Sequence, residues 1–339
     1  RLLKGDFFTL LKSCCPEEHH LHVHIGIDLR EIERDIALFD SIYHQLNVFL
    51  NWDFHFYHMD ELMHRNVILM KHHFALQYAL DHDYRMDICT CIRDKSVLQN
   101  LCDKLTECYA AKSPLMMPEK SLGLDEFGFR NLFYASGRFQ FFCTNGFEFL
   151  LPDAAFESLI AETQKNHPDP KMIYWVRKIQ LSWTELLEKS EIHFMLPVSS
   201  VLKYIENGHI TFTDIDYNLT IDERKQHAEQ ILRTMKHNDR IQIFAVKDTG
   251  SHSDFSRLSF YSNYSSAFLK KNSQMVSPDT SRFYVIKDRE LMALITKYFE
   301  YRCQSEASQF YTAEDVAELY ETHKTLIHKT MELSAYNQF

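Results

Sequence analysis

With 339 residues, 45% of them hydrophobic and 25% charged, the chain is long enough for two ordinary domains and globular rather than disordered in composition. A net charge of −10 without any Lys/Arg-rich block argues against a surface for phosphate backbones, and 8 glycines with neither GxGxxG nor GxxxxGKS/T argue against nucleotide chemistry. The longest apolar runs, such as Val67 to Met70, fall far short of a membrane span, the opening residues show no signal-peptide pattern, and 8 cysteines without a CxxC pair fit a reducing cytoplasm.

The first segment, 1–65, holds the most pointed stretch, "EEHHLHVHIGID" from Glu17 to Asp28. Read as a strand, it places His20, His22 and His24 on one face and Leu21, Val23 and Ile25 on the other. Alternate strand residues are ~6.6–7 Å apart, so two imidazoles of an HxH pair are able to reach one ion. In this His22 and His24 resemble the HxH that opens amidohydrolase barrels. That resemblance implies later His ligands and a strand-end Asp in a chain of eight βα units. His193 and His209 are the distant candidates, neither in a diagnostic context. No complete ligand set is visible, so the favoured reading is an edge strand with one solvated face, holding no metal or other cofactor.

Residues 66–166 and 220–305 read as two similar α/β lobes made by internal duplication. "ALDHDYRMDICTCIRD" from Ala79 and "TMKHNDRIQIFAVKD" from Thr234 each run from a helix end through a polar turn into a strand, entered at Arg85 or Arg240. "FEFLLPDAAFESLIAET" and "RFYVIKDRELMALITKY" each run strand, Asp, helix, with Asp153 and Asp288 as N-cap candidates. Their apolar stripes fall at matching offsets, Phe156, Leu159 and Ile160 against Leu291, Leu294, Ile295 and Tyr298. "NLFYASGRFQFF" from Asn131 parallels "LSFYSNYSSAFL" from Leu258. The first lobe adds a helix over 96–111, and Cys89 and Cys91 before it read as small core residues. Thr220 with Glu223 fits a capping box ahead of the stripe Ala228, Ile231, Leu232 and Met235. Between the lobes, 167–219 is a helical connector opened by "KNHPDPKM", with helices over 173–188 and 199–206. Residues 306–339 form a polar helical tail.

Two such lobes resemble the phospholipase D arrangement, which implies His, Lys and Asp at HxKxxxxD spacing; no stretch supplies them. A GxSxG elbow is also missing, and no catalytic residue is assigned. "LFYASGRFQFFCTNGFEFLL" is too aromatic for a half-exposed strand, so most of its Phe residues belong to a core. Tyr134, Arg138, Tyr261 and Tyr264 are candidates to point polar tips into a cleft beyond the strand ends, with Arg93 and Lys247 as nearby cations. These six make a candidate site for a small polar or anionic ligand. Tyr311 to Met331 has the outline of a helix–turn–helix without its turn glycine, so this chain by itself is not expected to bind nucleic acid.

The stretch from Phe194 to Tyr301, with "FMLPVSSVLKYIENGHITF", "SFYSNYSSAFLKKN" and "FYVIKDRELMALITKYFEY", resembles the long C-terminal region of certain clostridial (Firmicutes) transcription regulators. Val67 to Gln164 does so more loosely. The resemblance implies a cytoplasmic, non-enzymatic effector-sensing or oligomerisation region of a bacterial regulator whose DNA-binding helix–turn–helix lies outside this chain. A homodimer is compatible with it, and membrane contact is not expected. The alternative from another class is a metal-dependent hydrolase of amidohydrolase type using His22 and His24. A closed barrel of eight parallel strands separates the two readings.

Overall fold

The computed structural model describes residues 21–59, 66–80, 86–122, 128–166, 170–213, 215–247, 257–304, 306 and 308–336. The readings placed on His20, on the strand entry at Arg85, on the break at 167–169 and on the loop at 248–256 lie outside them.

The chain opens with β1 (Leu21–Ile27), α1 (Leu29–Arg34), α2 (Ala37–Val48) and β2 (Trp52–His58). Asp28 caps α1 by accepting from the Arg30 amide at 3.0 Å. Next come β3 (Asn66–Met70), β4 (Phe74–Leu80) and β5 (Met86–Ile92), then α3 (Lys95–Ala110), β6 (Pro114–Glu119), α4 (Phe129–Phe133) and β7 (Arg138–Phe142). Asp94 caps α3. α5 (Asp153–Asn166) and α6 (Pro170–Lys189) lead to β8 (Glu191–Pro197) and α7 (Val198–Asn207), which ends at Gly208 in the left-handed conformation. β9 (His209–Phe212) and β10 (Ile215–Asn218) form a hairpin before α8 (Ile221–His237) and β11 (Ile241–Val246). β12 (Leu258–Ser262), β13 (Ala267–Lys271), β14 (Phe283–Ile286), α9 (Arg289–Gln304), β15 (Ser308–Tyr311) and α10 (Ala313–Tyr336) complete the chain.

Ten strands join in one open, mixed sheet of order β1-β2-β6-β14-β13-β12-β7-β8-β11-β15. The pairs β1/β2, β7/β8 and β8/β11 are parallel and the other neighbours antiparallel. Strand alternation divides the core between the two faces. Phe139 and Phe141 point to the side covered by α5 and α6, while Phe142 and Phe260 point to the side covered by α1, α2 and α9. Consecutive lysines at the middle of the sheet follow the same alternation. Lys270 donates to Glu148 and to the Thr211 carbonyl, and Lys271 to Asp53 at 3.2 Å and to the Leu50 and Trp52 carbonyls. Each buried ammonium therefore meets a carboxylate and backbone acceptors, the condition under which a charge is tolerated inside.

A mixed α/β architecture is what the sequence pattern implies, but its division into lobes is not observed. Strands from all five expected segments, 1–65, 66–166, 167–219, 220–305 and 306–339, share the one sheet. The block around Ala79 is not a helix end: Phe74–Leu80 is a strand in the separate antiparallel sheet β3-β4-β5, whereas β11 belongs to the large sheet. The reason is local. Val67 to Met70 folds back through Lys71–His73, with His72 at φ 66°, and pairs as a hairpin rather than starting a helix. Cys89 and Cys91 are exposed on β5, and Ile88 on its other face is 63% exposed, so the cysteines are not core residues.

α5 packs on one face of the large sheet and α9 on the other, so the Asp153 and Asp288 blocks are not equivalent in place. Asp288 does cap α9, accepting from the Leu291 amide at 2.8 Å, while Asp153 is already inside α5 and the Pro152 carbonyl accepts the first amides. The Thr220–Glu223 capping box is present. Tyr311 to Met331 runs into one uninterrupted helix, α10, without the turn of a helix–turn–helix. The closed barrel of eight parallel strands required by the amidohydrolase alternative is not the observed sheet. No helix is long and apolar enough to cross a membrane among the described residues.

Candidate functional site

The histidine face of β1 is an edge-strand face, with His22 and His24 exposed and Val23 and Ile25 turned inward. Across the parallel pairing, His24 stands opposite His55, and their rings stack at 4.5 Å with 7° between planes. An imidazole binds metal through in-plane lone pairs, and stacked rings aim those lone pairs side by side rather than at one point. Tyr57 and Tyr109 of α3 extend the stack. No group of three His, Cys, Asp or Glu side chains suited to a metal occurs among the described residues. His209 is turned to Asn218 within its own hairpin, and His193 lies on β8, far along the strand order from β1.

The six residues expected to share a cleft separate into four places. Tyr134 and Tyr261 are buried in the α5/α6 core; Tyr261 donates to Glu148 at 3.2 Å, and burial raises both phenols above their ordinary range. Their polar tips are committed to the interior because both rings lie in the densest aromatic cluster. Arg93 follows β5 on the small sheet and Lys247 follows β11 on the large one, both exposed. Neither shares a hydrogen bond, ion pair or ring contact with the other four among the described residues. Arg138 and Tyr264 do meet, with the guanidinium 4.4 Å from the ring centroid.

Around that pair the strands assemble a polar patch on the α9 side of the sheet. β7 presents Arg138 and Gln140 on the same side as Phe142, whose place in the α9-side core fixes the face. In register, Glu191 of β8 lies beside Arg138, and His193 of β8 and Ser262 of β12 flank Gln140. The Arg138 Nε donates to Glu191 at 3.1 Å, and His193 Nε2 lies 3.5 Å from the same carboxylate oxygen. After Ser262 the chain turns through Asn263, whose side-chain oxygen accepts from the Ser265 and Ser266 amides. That turn holds Tyr264 at φ 63°, an uncommon conformation for an aromatic residue, with its amide bonded to the Ser262 hydroxyl. α9 supplies Glu300 and Cys303, three residues apart and so on one helix face.

Two polar groups in this patch are buried without a protein partner. The Gln140 side chain is fully buried, and neither its carbonyl nor its amide nitrogen makes a hydrogen bond; the Tyr264 hydroxyl is the other. Burial pushes Tyr264 up to about 12 and Cys303 up to about 12, so phenol and thiol both keep their protons. His193 is held below the usual imidazole range by burial, partly offset by Glu191, and stands neutral at pH 7. The arrangement therefore offers neutral donors and acceptors in depth and an Arg–Glu pair at the rim, where the two side chains are 53% and 41% exposed.

Gln140, Glu191, His193, Ser262, Glu300 and Cys303 were not grouped with Arg138 and Tyr264 from the sequence. One signal was there: Gln140 is the lone amide inside the Phe-rich run "RFQFF". A polar residue on the buried side of such a strand needs a reason.

No protein-family model matches the chain, and no curated protein matches its sequence. It is similar in structure to the chain described as phosphatidylserine synthase from Haemophilus influenzae Rd KW20, at 10% identity and a TM-score of 0.30, over 92% of this chain and 81% of that one. So distant a likeness assigns neither chemistry nor a family.

Proposed function

We propose that the chain is a non-enzymatic, cytoplasmic effector-sensing module of a bacterial transcription regulator, with its DNA-reading element outside this chain and a small polar ligand bound at Arg138, Gln140, His193 and Tyr264. The observation that supports this is the buried, unpartnered Gln140 amide beneath an exposed Arg138–Glu191 rim. Such a group costs about 1–3 kcal/mol, and an apolar residue of the same shape avoids that cost. Strain at Tyr264 lies in the same patch, and strained positions cluster at ligand clamps. A protonated Cys303 thiol and Tyr264 phenol suit recognition better than nucleophilic attack. Control then follows if the ligand prefers one conformation of the module over another.

The test is a thermal-shift screen of metabolites on the wild type and on Gln140→Leu. A ligand that binds the native state raises its melting temperature by mass action. The expected outcome is at least one stabilising compound whose effect disappears in Gln140→Leu. Stabilisers acting equally on both proteins would remove the patch from the reading.

A further inference from the structure

We infer that the ligand is a small organic cation, and that Arg138 occupies its place on Tyr264 and Glu191 in the free protein. This rests on the reading of the patch as a binding site and names the charge class that the site takes. The structure already shows which chemistry the surface accepts. A guanidinium lies over the Tyr264 ring at 4.4 Å and donates to Glu191 at 3.1 Å, a cation–π contact and a charge-assisted hydrogen bond on one group.

The remaining charges point the same way. Glu300 acts electrostatically on both His193 and Tyr264, yet no ion pair engages it among the described residues. Arg138 offsets only one of the two carboxylates, Glu191 and Glu300, and the neutral His193 offsets neither. The next cation along α9, Arg302, lies over Phe142, donates to Tyr298 and acts on the Cys303 thiol, but it is not among the charges acting on His193 or Tyr264. Around His193 and Tyr264, two carboxylates therefore face one guanidinium. An entering anion would meet two carboxylates and a guanidinium that is already engaged. An entering ammonium or guanidinium would exchange with Arg138, whose half-exposed side chain is free to swing into water. It would gain Glu300, the Gln140 carbonyl oxygen and the unprotonated nitrogen of His193 as acceptors. Of these, Glu300 has no ion pair and Gln140 no hydrogen bond among the described residues when Arg138 alone fills the rim.

The charge class makes opposite demands on one variant. For an anion, Arg138 is the anchor and Arg138→Ala abolishes binding; for a cation, Arg138 is a competitor and its removal strengthens binding. The probes are agmatine and putrescine as cations, with succinate and inorganic phosphate as anions. They are titrated by calorimetry and thermal shift into the wild type, Arg138→Ala, Arg138→Gln and Glu300→Gln. The expected result is that a cationic probe raises the wild-type melting temperature and binds several-fold tighter to both Arg138 variants. Glu300→Gln should bind it about tenfold more weakly or worse, the loss of one charge-assisted contact. Two Arg138 variants keep the result readable if one of them folds poorly, and Glu300 lies on the helix surface where a neutral amide is tolerated. Succinate or phosphate stabilising the wild type and failing on both Arg138 variants would overturn the cation while leaving the binding patch intact. No response to any of the four probes would also overturn it, whereas the metabolite screen on Gln140→Leu judges the patch independently.

Discussion

In the parallel pair β1/β2, His22 lies opposite Asp53 and His24 opposite His55; in the pair β7/β8, Arg138 lies opposite Glu191 and Gln140 opposite His193. Both pairs thus set a basic or imidazole side chain against an acid, and two residues on set a second polar side chain against a histidine. Their outcomes differ because of what else reaches the acid. Asp53 is buried and accepts from Lys271 and from the Ser281 hydroxyl at 2.9 Å, so it is part of the framework that ties β2 to the sheet centre. Glu191 faces solvent, holding Arg138 and lying near His193. The histidines of the first pair stack on one another and on tyrosines, with both His55 nitrogens buried and without a hydrogen bond, while the second pair keeps an unpartnered amide beneath an exchangeable ion pair at the rim. Register alone creates the opportunity for a site. Competition for the carboxylate decides whether it becomes scaffold or a place for a ligand.

The largest effect should come from removing one acid and then the other. Asp53→Asn leaves the Lys271 ammonium, already depressed to about 8 by burial, without its counter-charge inside the protein. Breaking a buried pair from one side costs about 3–5 kcal/mol. Glu191→Gln, at an exposed rim, should cost no more than about 1 kcal/mol. Urea denaturation midpoints measure both. Equal losses would mean that the two acids have the same role after all, and the contrast would collapse.

Next in size is the amide itself. Gln140→Leu removes a buried group with no protein hydrogen bonds and keeps its approximate shape, so it should stabilise the fold by about 1–3 kcal/mol while destroying ligand response. His227 offers the control. It is also fully buried, but its Nε2–H donates to the Phe149 carbonyl at 2.7 Å and its Nδ1 accepts from Tyr204, so His227→Leu should destabilise. A Gln140→Leu protein less stable than the wild type would show that the amide is satisfied in solution and would weaken the argument for a binding role.

How much of this was legible in the sequence follows from what each feature depends on. The capping box at Thr220 and Glu223, the Asp288 cap, the burial of Phe139, Phe141, Phe142, Phe147 and Phe149, and the one-sided histidine strand are local properties, and they are found. Sheet membership is not local. Met86–Ile92 and Ile241–Val246 share flanking patterns, but backbone pairing put one in a hairpin sheet and the other beside β8. The same holds for the site. Arg138 and Tyr264 were named because their side chains suit a cleft. Their partners Glu191 and His193 enter through the parallel register of β7 and β8, and Glu300 through the packing of α9 on that face. Tyr134 and Tyr261 show the converse, since the same side-chain chemistry was drawn into the core, Tyr261 by strand alternation and Tyr134, just past α4, against Trp183.

The smallest effect concerns acid, and it separates the two histidine pairs by size. Burial holds His55 down to about 4, with His24 and His22 adding repulsion against its protonation. An unfolded histidine takes up its proton near 6.5. Between these values the unfolded chain binds a proton that the folded chain refuses, so this contribution to stability is whole above pH ~6.5 and is lost as the pH falls toward ~4. His227 is held down to about 4 in the same way and gives a slope of the same sign, which is why a single wild-type profile cannot isolate His55. The comparison must be between the wild type and His55→Phe, a ring that preserves the stack on His24 without titrating. Because the His55 ring is only partly buried, the part of the acid loss that this variant removes should be at most on the order of 1 kcal/mol. His193→Phe should remove less, since Glu191 and Glu300 favour the proton there and offset the effect of burial. Urea midpoints at about pH 4.5 and about pH 7.5 give the two slopes. If His193→Phe flattens the profile more than His55→Phe, the exposed carboxylates are not compensating His193, and the electrostatic distinction between the two strand pairs is wrong.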